Sequence, residues 1–297
     1  MSDPTETVLA GLPLEHPLFN AAGTAKTVAE VERLARSAVS AVTVGSITSA
    51  PRDGNAGEVF TARDAYAVNA LGMPNRGAAF YREALPEMAA ITRDAGKPLI
   101  VSVAGFSPEE YGELTALSAS SGADLVELNL GCPNVWNDGT QHRIASFDPE
   151  LVARSVASAV EASGGVPVGA KLSPLSDPTL LAEVAAALVD SGVRFVVSCN
   201  TFPNGLALRP DGRSAIDVEY GGVSGSAMKP IALGQVGQLR RLLPAGIDLV
   251  GAGGVRRGGD IDDFRHAGAV AVGAATLFWT SGEDPRCFGD LLSDWVA

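Results

Sequence analysis

The stretch NLGCPNVWN, residues 129–137, places Cys132 between Asn129 and Asn134, with Gly131 and Pro133 directly beside it. A thiol with an ordinary pKa of about 8.5 can serve as a proton acceptor once a neighbouring charge favours the thiolate. Cysteine is also common as an inert, buried small residue. That bland reading suits Cys199 and Cys287 better than Cys132, whose glycine and proline neighbours put it in a loop. Asn69 and Asn200 add two further carboxamides. Each offers an acceptor and a donor side by side, so a ring of them complements a planar cyclic amide or imide such as a pyrimidine. Taken singly, each is equally at home capping a turn. Lys171 closes the apolar run VPVGAK, where a buried ammonium needs an anionic partner. Glu127 is the alternative partner within the chain.

Glycines supply a second kind of chemistry. GAGG (251–254), VGAA (272–275) and GGVSG (221–225) follow or precede apolar runs near the C-terminus. Bare backbone N–H groups in such places cradle phosphate. One glycine pair says little, but the three in this order point to a phosphate-bearing cofactor.

The elements that must position these groups are legible as an alternation. Eight short apolar, β-branched runs occur at 17–22, 41–46, 98–105, 124–130, 166–172, 194–200, 247–253 and 269–275. They lack polar alternation, as parallel strands buried on both faces do. Between them lie segments with apolar residues at three- and four-residue steps, several opened by Pro or Asp and closed by Gly. The pattern predicts an α/β fold, a (β/α)8 TIM barrel in one domain over 1–297, with its site at the C-terminal ends of the strands. Cys132, Lys171, Asn200 and the glycine pairs all fall at that end. An open doubly wound sheet is the competing architecture. The long connections 47–77, 131–147 and 200–228 then belong to the functional face.

Bulk properties exclude several classes. With 46% hydrophobic and 19% charged residues the chain is globular, and a net charge of −12 argues against nucleic acid. Three scattered cysteines and three unpaired histidines give no disulfide framework and no metal spacing. No signal peptide or membrane-length apolar run is evident, so no membrane association and a cytoplasmic location are expected.

These residues, in this order, resemble the class 1 dihydroorotate dehydrogenases. The resemblance runs through PLFNAAGT, PRDGN, VNALGMPNRG, NLGCPN, AKLSP, CNTFPNGL, YGGVSGSAMKP, GAGGV and VGAATLF, nearly the whole chain. It implies FMN as cofactor and oxidation of dihydroorotate to orotate in pyrimidine biosynthesis. Cys132 would remove the C5 proton while hydride passes from C6 to FMN. It implies substrate contacts by Asn69, Leu71, Gly72 and Met73, and by Asn129, Asn134, Asn200 and Thr201. Cofactor contacts are implied for Ala22, Gly23, Gly45, Ser46 and Ser102, for Asn129, Lys171 and Cys199, and for Gly225, Gly253, Gly254, Gly273 and Ala274. It further implies a homodimer and an electron acceptor that is either fumarate or a separate electron-transfer subunit.

The departures carry information too. Gly45 stands where the family usually has a lysine that meets flavin and substrate carboxylate, so Gly45→Lys is expected to improve dihydroorotate affinity. The alternative is a related FMN oxidoreductase acting on another cyclic amide or enoyl substrate. Ala22, Ser102 and Ala274 stand where Ser, Asn and Thr are common. Trp136, His142 and Arg143 have no family counterpart, and Arg143 is a candidate to replace the missing cation.

Overall fold

The structure, a computed structural model, describes residues 5–134, 136–137, 140–141 and 143–297. Eight parallel strands form its centre: Leu18–Asn20, Val42–Ile47, Leu99–Val103, Leu125–Asn129, Val168–Leu172, Phe195–Ser198, Asp248–Ala252 and Ala271–Ala274. Seven fall within one of the eight apolar runs, and the second, Val42–Ile47, overruns its run 41–46 by one residue. From the second strand to the eighth, each pairs with the next, and the eighth pairs with the first. The ring closes between the first and second strands without a ladder. There the Asn20 carboxamide acts as a backbone surrogate, its Nδ2 donating to Thr43 O (2.7 Å) and its Oδ1 accepting from Thr43 N (3.0 Å). Backbone bonds from Ser40 N to Leu18 O and from Gly23 N to Gly45 O flank that join. The result is a closed TIM barrel.

The outer helices start where the sequence signals them. Ser107, Asp148 and Asp177 are N-caps whose side chains accept backbone N–H bonds, and each is followed by proline at the first helical position. Thr27 and Glu30 form a capping box at the head of Val28–Ala35. Apolar faces of these helices and the outward side chains of the strands make one core cluster around the barrel. Among the described residues no helix is long and apolar enough to cross a membrane.

Some elements were not anticipated. A hairpin, Thr7–Leu9 with Leu12–Leu14, lies across the N-terminal ends of the last two barrel strands, bonding to Val270 O and Asp248. A C-terminal helix, Arg286–Val296, is tied back by Trp295 to Asp262. The connections 47–77 and 200–228 share one antiparallel sheet, in the order Phe202–Gly205, Gly221–Ser224, Ala67–Asn69, Phe60–Ala62. Two loops far apart in sequence thus brace each other over the mouth of the barrel.

Candidate active site

Asn69 ends the strand Ala67–Asn69 and pairs with Phe60 on one side and Gly222 on the other. The chain beyond it, Leu71–Met73, is shaped by the PRDGN motif. Asn55 donates its backbone N–H to Leu71 O and its Nδ2 to Ala70 O, and Arg52 Nε donates to Gly72 O at 3.1 Å. Gly54 approaches so closely that a Cβ there would lie 2.5 Å from Leu71 O. The motif therefore acts as a mould for this loop.

From the barrel side, Asn129 ends the fourth strand and Lys171 lies beside it on the fifth. Asn200 Nδ2 donates to Asn129 Oδ1 (3.0 Å), and Asn129 Nδ2 donates to Ser46 Oγ (2.8 Å). Ser46 and Ser102 hydroxyls are 2.9 Å apart, and Ser102 Oγ donates to Glu127 Oε1 (2.8 Å). Because the single proton of Ser102 goes to Glu127, Ser46 must be the donor to Ser102. The chain is thereby directed from Asn200 down to a buried carboxylate. Above it, Asn134 Nδ2 donates to the backbone and side-chain oxygens of Asn69 (3.0 and 3.1 Å), leaving its own Oδ1 as an open acceptor. Thr201 N donates to Asn200 Oδ1, while Thr201 Oγ1 is buried with no partner. Gly222 makes room for that hydroxyl: a Cβ there would sit 1.9 Å from it.

These groups converge on a cavity of about 130 Å³, lined by Asn69, Leu71, Met73, Asn129, Cys132, Asn134, Lys171, Asn200 and Thr201. Cys132 is half-buried, and loss of solvent around its sulfur pushes the thiol up. The Asn134 N–H and the charges of Lys171 and Arg52 oppose that shift by favouring the thiolate. Lys171 itself is buried. The Glu127 pairing weighed from the sequence is not made: Glu127 faces Gly169, two residues away along the neighbouring strand, and is engaged by Ser102.

An adjoining cavity of about 100 Å³ shares Ala22, Lys171, Asn200 and Thr201 with the first and extends to Cys199, Gly253, Gly254, Gly273 and Ala274. Gly253 and Gly254 have φ of +124° and +82°, and a Cβ on Gly254 would lie 2.8 Å from Lys229 N and 2.9 Å from Gly225 O. Such a bare backbone cradle at the ends of the last strands suits a phosphate. The buried Lys171 at the join of the two cavities suits an electron-rich ring, and the unpartnered Thr201 hydroxyl awaits an acceptor or donor from outside the chain. The residues fit FMN.

Four of the expected residues do not line either cavity. Gly225 lines a neighbouring pocket with Arg256 and Tyr66, and the Gly72 carbonyl accepts from Arg52 Nε. Ser102 is fully buried beneath Ser46. Gly45 has φ +107°, and a Cβ on it would meet Ser102 O at 2.3 Å. A lysine therefore cannot be accommodated at 45 on this backbone. Arg143 is exposed, bonded to Asp148 and Phe147 O, and lines a separate cavity behind Cys132 rather than the one with the asparagines. His142 and the side chain of Trp136 lie outside the described residues. Sequence reasoning passed over Lys26, Phe60, Ala275, Thr276 and Trp279, which also line the larger cavity. Only Ala275 and Thr276, directly after the eighth strand, were placed to be found.

Comparison with known proteins bears on the family and the fold. A family model described as dihydroorotate dehydrogenase matches residues 5–287. The catalytic subunit of dihydroorotate dehydrogenase B (NAD(+)) from Methanopyrus kandleri is 37% identical over 267 residues, covering 88% of this chain and 81% of that one. Dihydroorotate dehydrogenase A (fumarate) from Lacticaseibacillus paracasei is 34% identical over 280 residues, 91% of each chain. A crystal structure of DHODH from Eimeria tenella in complex with ferulenol superposes with a TM-score of 0.81 at 18% identity, covering 98% of this chain and 84% of that one. That last likeness is one of fold. With a family model over residues 5–287 and relatives above 30% identity along most of its length, the chain belongs to the dihydroorotate dehydrogenase family.

Proposed function

We propose that this protein is an FMN-dependent oxidoreductase that converts dihydroorotate to orotate, with Cys132 as the base. The observation that carries the reading is the convergence of Cys132, four asparagine side chains and Lys171 on one cavity at the C-terminal end of the barrel. Members of this family are FMN flavoproteins. When bound, FMN supplies the two-electron acceptor for the hydride that leaves C6. Its phosphate would be held at Gly253, Gly254 and Gly273, and its ring beside Lys171, Ala22 and Cys199.

The chain's own residues do the rest. Asn129 and Asn200 are locked to each other, so each retains one defined free hydrogen-bonding direction for a ring amide or imide. Asn134 offers its Oδ1 and Asn69 its remaining Nδ2 proton from the opposite wall. A ring held between these walls presents C5 to Cys132, which accepts its proton. Lys171 favours the thiolate that does so. The relatives' names carry dihydroorotate throughout, so a carboxylate-free ring substrate is the less favoured reading.

Electrons then leave to fumarate or, through a separate electron-transfer subunit, to NAD(+). A cytoplasmic homodimer completes the reading. The test is an anaerobic titration of the flavin-loaded protein with dihydroorotate, followed by the oxidised-flavin absorbance, with dihydrouracil alongside. Bleaching by dihydroorotate and not by dihydrouracil is expected. Bleaching by dihydrouracil alone would overturn the substrate assignment.

A further inference from the structure

The turn at Gly253 and Gly254 has no side chain of its own to fix its shape. Its φ values of +124° and +82° lie in a region that glycine enters freely and leaves as freely. N–H groups on such backbone hold an anion well only if something else keeps them aimed. Support comes from behind the turn. A Cβ on Gly253 would lie 2.9 Å from Ala232 Cβ, and one on Gly254 would lie 2.8 Å from Lys229 N. Both glycines therefore rest on the first turn of the helix Lys229–Leu242.

Asp260 joins the turn to that helix. It lies in the first turn of Gly258–His266 and is buried, at 3% exposure. Its Oδ2 accepts the N–H groups of Arg256 (2.7 Å) and Arg257 (2.9 Å), directly beyond the glycine turn. Its Oδ1 accepts from Lys229 Nζ, at the head of the supporting helix. Lys229 also donates to Asp263 Oδ2, and the exposed Arg257 brings Nε to 3.5 Å from Asp260 Oδ1. Burial works against charge on both Lys229 and Asp260. The hydrogen bonds outweigh it, holding Asp260 below and Lys229 above their ordinary values, so the pair stays ionised. Neither residue lines the cavity with the cradle or the larger one. With its ammonium given to two carboxylates, Lys229 is not placed to neutralise a phosphate itself. The cradle must work through the aim of its N–H groups.

We propose that Asp260, through its ion pair with Lys229, is a positioning residue for the cofactor phosphate and sets how strongly the protein prefers a phosphorylated flavin to an unphosphorylated one. The inference rests on the FMN reading above, with the phosphate at Gly253 and Gly254, and deepens it. The ring end of the site, beside Lys171, Ala22 and Cys199, belongs to other strands. A change at position 260 therefore acts on one end of the cofactor and not on the other.

The test titrates the flavin-free full-length protein with FMN and with riboflavin, which has the same ring without the phosphate, by quenching of flavin fluorescence. Asp260→Asn keeps an oxygen for the Arg256 and Arg257 N–H groups but loses the ion pair. In that variant FMN is expected to bind more weakly by roughly tenfold, while riboflavin stays within about twofold of wild type. Lys229→Met should show the same selective loss. Lys229→Arg, whose guanidinium can still meet both carboxylates, should recover most of it. Either of the first two variants decides the matter if the other does not fold. Unchanged FMN affinity overturns the proposal, as does an equal loss of FMN and riboflavin, which would mark a merely structural pair. A wild type that binds riboflavin as tightly as FMN would instead sink the placement of the phosphate on the glycines, and the proposal with it.

Discussion

Asn200 donates Nδ2 to Asn129 Oδ1 at 3.0 Å, joining the ends of the sixth and fourth barrel strands across the intervening fifth. Neither amide can rotate without breaking that bond or the one from Asn129 to Ser46. The orientation of both is thus fixed before a ligand arrives, which lowers the ordering cost of binding. Replacing Asn200 by Ala leaves Asn129 Oδ1 without its donor. Orotate affinity of the flavin-loaded protein should fall about three- to tenfold, the worth of one hydrogen bond. Calorimetric titration would check this, and unchanged affinity would mean that Asn200 neither bonds the ring nor is needed to orient Asn129.

Cys132 should dominate the pH dependence. In the proposed reading the thiolate is the active form, and burial holds the thiol above its ordinary value. The fraction deprotonated therefore grows as pH rises through the alkaline range, so stopped-flow flavin reduction should accelerate from neutral pH upward without levelling below about pH 9. Cys132→Ala should lower the reduction rate by roughly 10²–10⁴ and leave FMN bound. A rate profile flat from pH 6 to about pH 9 would remove the thiol from the rate-determining proton transfer.

Lys171 makes an unusual prediction because two effects of its removal have opposite signs. Burying an ammonium without a partner costs the empty protein stability, so Lys171→Met should raise the urea stability of the apoprotein by about 1–4 kcal/mol. The same variant should release FMN more readily, since it removes the cation that the proposed reading sets beside the ring. Simultaneous loss of apoprotein stability would show that Lys171 is satisfied within the chain.

Gly45 invites a repair that the backbone forbids. Inserting lysine there must strain a left-handed φ and push Cβ into Ser102 O. Gly45→Lys is expected to lose about 3 kcal/mol or more of stability, measured by denaturant unfolding, with no gain in orotate affinity.

The barrel was legible because its eight strands are continuous apolar runs, a signal that depends only on local composition. The convergence of Cys132, Lys171 and Asn200 on one cavity was legible because strand ends in this fold meet at one face. Residues whose role comes from long-range packing were not. The sheet that places Asn69 pairs residue 69 with residue 222, and nothing in either local sequence announces the partner. Lys26 sits in GTAKT, where an ordinary helix start explains it completely. Gly45 was read as a missing lysine from its position alone. Its φ and the closeness of Ser102 O, which make glycine the residue that fits, exist only once the second and third strands are side by side.

The Asn20 join has its own implication for how this protein is built. Seven ladders hold the staves together, while one amide side chain fastens the last gap. Asparagine is suited to that buckle because it both gives and takes, matching one peptide unit. A carboxylate at position 20 would accept from Thr43 N and have nothing to offer Thr43 O, setting two oxygens face to face. The hoop would then be sprung at the place where Ala22 and Gly23 on one side, and Ser46 on the other, enter the wall of the reactive cavity.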